Sequence, residues 1–108
     1  MFVVIARFTV RPERAGDWPQ LVSPVTEATR AEPGCLWFDW SRSLDDPGVY
    51  VLLEGFAEQA VWAAHARSEH FRAATGALTR HLVRTPDVIT MSIPGDGWSR
   101  LEAMAVPD

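Results

Sequence analysis

The chain has 108 residues, 47% apolar and 22% charged, which makes one globular domain: too short for a second core, too apolar for a disordered segment. Its ten basic residues are all arginines, scattered from Arg7 to Arg100 and outnumbered by 14 acids, and the resulting charge of −4 argues against a nucleic-acid or anionic-membrane surface. A single cysteine, Cys35, excludes an intrachain disulfide framework, and with no leader pattern around the short apolar run at 1–10 the expected location is cytoplasmic.

Residues 2–10 are β-branched and aromatic and stop at Arg11-Pro12, so they predict a strand. From Glu13 to Ala31 the apolar residues Trp18, Leu21, Val22, Val25 and Ala28 recur at helical spacing, and Glu32-Pro33-Gly34 ends the run. Pro19 fits a first turn, whereas Pro24 is expected to delete an internal hydrogen bond and bend this helix. Residues 35–43 and 49–56 flank Leu44-Asp45-Asp46-Pro47-Gly48 and predict a hairpin. A helix follows over 57–66, and Ser68 is placed to cap another through Val83 with a stripe of Phe71, Ala74, Leu78 and Leu82. Residues 87–93 return to strand character. The expected domain is therefore 1–93, with a tail over 94–108 whose Trp98, Leu101, Met104 and Val106 pack on the domain or on a partner subunit.

The order β-α-β-β-α-β is the split arrangement of ferredoxin-like α+β domains, an antiparallel sheet with both helices on one face. The strands are apolar on both faces. Val49, Val51 and Leu53 alternate with Tyr50 and Leu52, Val3 and Ile5 with Phe2 and Val4, and Trp37 with Leu36, Phe38 and Trp40. Helices cover one face only, so the sequence predicts a homodimer whose sheets pack face to face.

Chemistry is sparsely signalled. There is no dinucleotide-binding glycine pattern, no P-loop, no C-x-x-C and no G-x-S-x-G elbow. His65, His70 and His81 lack the spacing of a helical zinc site, so no metal is expected. The aromatic content stands out: five Trp, five Phe and one Tyr. Trp37, Phe38 and Trp40 on the second strand, with Trp62 one helical turn before His65, fill the core or wall an aromatic pocket between sheet and helices. His65 is the titratable group of such a pocket, and Glu54, at the end of an apolar strand, is its candidate partner in a base poised near neutral pH.

E-P-G-C at 32–35, D-D-P-G at 45–48, Glu54, and the run from Ala60 through His65 to S-E-H-F at 68–71 together resemble the antibiotic-biosynthesis monooxygenase superfamily, particularly its small quinol-monooxygenase-like members. The resemblance spans residues 2–93. It implies a dimeric α+β barrel and oxygenation of phenolic or quinol-type substrates by O2 without flavin, haem or metal. An electron-rich substrate anion then reduces O2 itself, and the protein supplies deprotonation, orientation and exclusion of water. Glu54, His65, Ser68, His70 and Phe71 stand at the family's patterned positions. Phe56 departs from the pattern, replacing a tryptophan common two residues after the glutamate, but still offers an apolar wall. The chain has no asparagine, which disfavours haem degradation.

The expected function is a cofactor-independent monooxygenase acting on a small aromatic, quinol-like or polyketide-like molecule, with O2 as co-substrate. His65 and Glu54 would be catalytic. Trp62, Phe38, Trp37, Trp40, Phe56, Ser68, His70 and Phe71 would bind substrate. An isomerase or cyclase working by proton transfer, and a noncatalytic binding module, remain as alternatives with the same pocket.

Overall fold

β1 (Phe2–Thr9) ends three residues ahead of Pro12, whose missing N–H could not serve a ladder. The chain is described over residues 1–108 by a computed structural model. After β1 a 3₁₀ segment at Pro12–Asp17 leads into α1 (Trp18–Leu21) and α2 (Ser23–Arg30). The one helix expected over 13–31 is thus three short pieces. Pro24 does not bend a longer helix; it occupies the first turn of α2, where its absent donor would have had no partner.

The hairpin is β2 (Cys35–Arg42) and β3 (Val49–Phe56). Its turn is closed by Gly48 N–H donating to Asp46 Oδ1 at 3.0 Å and by Ser43 N–H donating to the Val49 carbonyl at 2.9 Å. α3 (Gln59–Ala66) and α4 (Glu69–Leu78) follow, then a 3₁₀ turn at Thr79–His81 and β4 (Asp87–Ser92). His81, in that 3₁₀ turn, is buried.

The strands form one antiparallel sheet in the order β2-β3-β1-β4. The register sets Val4 opposite Glu54 and Thr90, and Ala6 opposite Leu52 and Val88. Strand alternation then puts Val4, Ala6, Phe8, Leu52, Glu54, Phe38 and Trp40 on the helix-covered face. Buried apolar residues gather in three clusters under the helices, around Trp18 and Tyr50, around Phe2 and Phe56, and around Phe38 and Leu52. Complete burial of Trp18 and Phe56 contributes on the order of 2–3 kcal/mol each.

The sheet is open. β2 and β4 have one neighbour each, so the α+β barrel expected from the resemblance is not formed by this chain. Four strands are half the number whose tilt and stagger close a small barrel, and here α2 and α4 close the face instead. On the opposite face Trp37 lies over Gly55 and against Trp98 of the tail, with ring centroids 5.6 Å apart. Ile89 on that face is 59% exposed, so the burial expected on both sides is only partial within one chain. The rest of the tail projects outward with Leu101, Met104 and Val106 exposed. That projection raises the radius of gyration to 15.2 Å, above the roughly 13 Å of a compact chain this long.

Candidate active site

Beneath α4 the three clusters leave a cavity of about 300 Å³. Phe71, Ala74 and Leu78 of α4 roof it, and Leu52, Phe38 and Trp40 of the sheet floor it. The helical stripe read from the sequence is therefore cavity wall. Thr75, Thr79 and Val88 line it while remaining exposed, so the opening lies between α4 and β4. Trp40 is held in place by donating its indole N–H to Thr26 Oγ1 at 3.0 Å. Trp18 also lines the cavity, and its buried indole N–H has no acceptor in the chain.

Only two titratable groups reach this apolar space, Glu54 and His65. Glu54 is carried there by β3, where alternation aligns it with Leu52 and Phe56. It is 6% exposed, and burial, reinforced by the nearby Glu32 carboxylate, pushes its carboxyl up to about 7. A carboxyl so placed exchanges its proton near neutral pH, which an exposed glutamate does not.

His65 stands in the last turn of α3 and is 3% exposed. Phe38, Phe56 and Phe71 surround its ring, with centroids 5.0–6.0 Å away. Its two nitrogens face two carboxylates. Nδ1–H donates to Glu32 Oε2 at 2.9 Å, and Nε2 lies 3.9 Å from Glu54 Oε1. His70 donates from Nε2 to the same Glu32 oxygen.

Local structure explains this convergence. Ser68 caps α4 by accepting from Phe71 N–H at 3.2 Å, and its hydroxyl donates to the His65 carbonyl at 2.7 Å. One serine thus ties the end of α3 to the start of α4 and sets His65 beside His70. Glu32 arrives from the turn after α2, where Gly34 has φ +85° and a Cβ would sit 2.9 Å from Val61 of α3. Only glycine allows both that backbone and that approach.

Of the residues singled out from the sequence, Glu54, His65, Trp62, Phe38, Trp40 and Phe71 line the cavity. Trp37 does not: it belongs to the other face. Phe56 lies behind His65, fully buried. Ser68 and His70 stand on the outer side of the imidazole, in a separate surface depression with Glu32 and Pro33. Glu32 itself entered the sequence reading only as a helix stop and as part of E-P-G-C, and a buried histidine in need of an acceptor was the one signal that could have found it.

Comparison with known proteins gives one family. The profile described as antibiotic biosynthesis monooxygenase matches residues 1–77. The Mycobacterium tuberculosis protein Rv0793 is 33% identical over 96 residues, covering 86% of this chain and 90% of its own length. Its solved structure superposes with a TM-score of 0.80 at 31% identity, over 91% of this chain and 98% of that one. A crystal structure of an antibiotic biosynthesis monooxygenase gives a TM-score of 0.80 at 29% identity, covering 88% and 100%. A Deinococcus radiodurans structure shares the fold with a TM-score of 0.82 at 22% identity, covering 94% and 99%.

Proposed function

The chain belongs to the antibiotic biosynthesis monooxygenase family, and from that premise we propose that its cavity oxygenates a small aromatic, quinol-like or polyketide-like substrate with O2. The observation that carries the reading is a carboxyl, Glu54, buried beside the His65 imidazole in a largely apolar chamber, where desolvation raises its pKa. Glu54 in its ionised form takes a proton from a phenol or an activated methylene. The resulting carbanion or phenolate passes electrons to O2. For an activated methylene the balance is CH2 plus O2 giving C=O plus water, one oxygen atom entering each product. His65 stands beside the carboxylate, with Nε2 3.9 Å from Glu54 Oε1, placed to receive the proton that Glu54 takes from the substrate. Phe38, Trp40, Trp62 and Phe71 hold the ring and keep water from the anion.

No arginine or histidine other than His65 lines the cavity to meet a flavin phosphate, and its volume of about 300 Å³ is at the lower end for ligand pockets, roughly 300–1,000 Å³. We therefore assign electron transfer to the substrate itself, with no organic cofactor. No helix is long and apolar enough to cross a membrane. A second copy of the chain is the cover we assign to the face bearing Ile89 and Trp37, because those side chains are apolar and incompletely buried. Sedimentation equilibrium at micromolar concentration tests that, and a 12.0 kDa species would overturn it.

The function is tested by oxygen uptake with a panel of anthrones, naphthols and quinols. One O2 consumed per product, with loss of turnover under anaerobic conditions, is the expected result. Equal turnover without oxygen would instead assign Glu54 to an isomerase or cyclase reaction.

A further inference from the structure

We propose that Glu32, His65 and His70 form a binding site for a divalent zinc-like ion, on the outer side of the wall that separates the cavity from the α3–α4 junction. Glu32 Oε2, His65 Nδ1 and His70 Nε2 lie within 4.8 Å of one another. Two imidazoles and a carboxylate are a donor set that suits zinc and its neighbours in the first transition row. Three separate elements deliver the three ligands, and each is held by its own local structure. The turn at Gly34 is pinned against Val61, and Ser68 links the last turn of α3 to the first turn of α4. The ligands are therefore organised before any ion arrives.

A second observation comes from the far side of the imidazole. Nε2 of His65 faces Glu54 Oε1 at 3.9 Å. A metal-bound imidazole characteristically offers its remaining N–H to a carboxylate, which fixes the tautomer and the ring. Glu54 stands on that side of the ring at 3.9 Å, so with the ion on Nδ1 the Nε2–H would point towards the cavity carboxylate. The three ligand residues border a surface depression lined also by Pro33, Ala60, Ala64 and Ser68, from which an ion and water have access.

In the metal-free chain both rings donate to one oxygen of Glu32. Zinc bonds of about 2.0–2.1 Å set ligand atoms roughly 3.3 Å apart in a tetrahedron, so the Glu32 carboxylate moves away from the rings as the ion replaces the two bridging protons. The ion lies outside the cavity, so its work is structural: it fastens α2's exit turn, α3 and α4 around the imidazole. Its binding is read without turnover.

The experiment is isothermal titration of the chelator-treated full chain with ZnCl2 at pH 7.5, paralleled by visible absorption of the Co2+ form. One ion per chain, a Co2+ spectrum of low-coordinate type and a rise in Tm with zinc concentration are expected. His70→Ala and Glu32→Gln should each weaken binding at least 100-fold, and Glu54→Gln about 10-fold, with far-UV circular dichroism reporting whether each variant folds. Because His70 is partly exposed, the conservative His70→Gln supplies a second test should the alanine variant unfold. No saturable heat in the wild-type protein overturns the proposal, leaving a hydrogen-bonded His–Glu–His cluster complete in itself. Undiminished binding in folded His70 and Glu32 variants also overturns it, by placing the ion elsewhere.

Discussion

Glu54→Gln separates the electrostatic account of the site from a purely steric one. In the folded chain the carboxyl titrates at about 7 against an ordinary value of 4.5. At about 1.36 kcal/mol for each pH unit of displacement, holding this group ionised weakens the fold by about 3 kcal/mol. Between pH 4.5 and 7 the native state binds more protons than the unfolded chain, so stability falls as pH rises through that window. Below it the penalty vanishes, and above it the full penalty persists. Glutamine stays neutral throughout and keeps its desolvation cost at every pH. The difference between variant and wild type should therefore grow by about 3 kcal/mol from pH 4 to pH 8, or about 13 °C in Tm. Urea titrations at five pH values, in chelator so that no ion contributes, give the curve. Parallel wild-type and variant curves over that range would refute the buried-carboxyl argument.

The same ionisation predicts that kcat/KM for oxygen uptake climbs with pH up to about 7 and then levels, while Glu54→Gln is slower by roughly 10²–10⁴ and loses that limb. Ala74→Phe should fill the cavity from its roof and abolish binding of a naphthol probe, read by tryptophan fluorescence, while far-UV circular dichroism stays unchanged. Gly55→Ala places a Cβ 2.4 Å from the Trp37 ring and should cost about 1–3 kcal/mol in urea unfolding. Adding it to Trp37→Ala should cost nothing further, since the clash has gone. Ser68→Ala removes the α4 cap and the tie to α3, and should lower stability by about 1 kcal/mol.

What could be read from the sequence was local. The hairpin at 44–48, the Ser68 cap and the α4 stripe depend on neighbours within a few positions, and all three stand in the structure. Strand alternation also put Trp37 opposite Phe38 and Trp40, which already removes Trp37 from a pocket walled by the other two. Helix breaks were less legible, because Pro24 disrupts a helix interior but starts one equally well. Glu32 stayed hidden because its role depends on a glycine turn docking against α3, which brings it to His65, 33 residues away. Closure into a barrel depends on strand number and shear, and no pattern in four short strands encodes an edge meeting another edge.

The cavity's opening lies at β4, a strand of six residues bonded to β1 alone. Outermost strands have the fewest backbone bonds to lose and breathe most readily. Val88 sits on that border, whereas Glu54 belongs to β3, which has partners on both sides. Passage of a guest molecule can thus loosen the doorway and leave the proton acceptor unmoved, a division of labour between pliable threshold and rigid hearth that amide exchange would display directly.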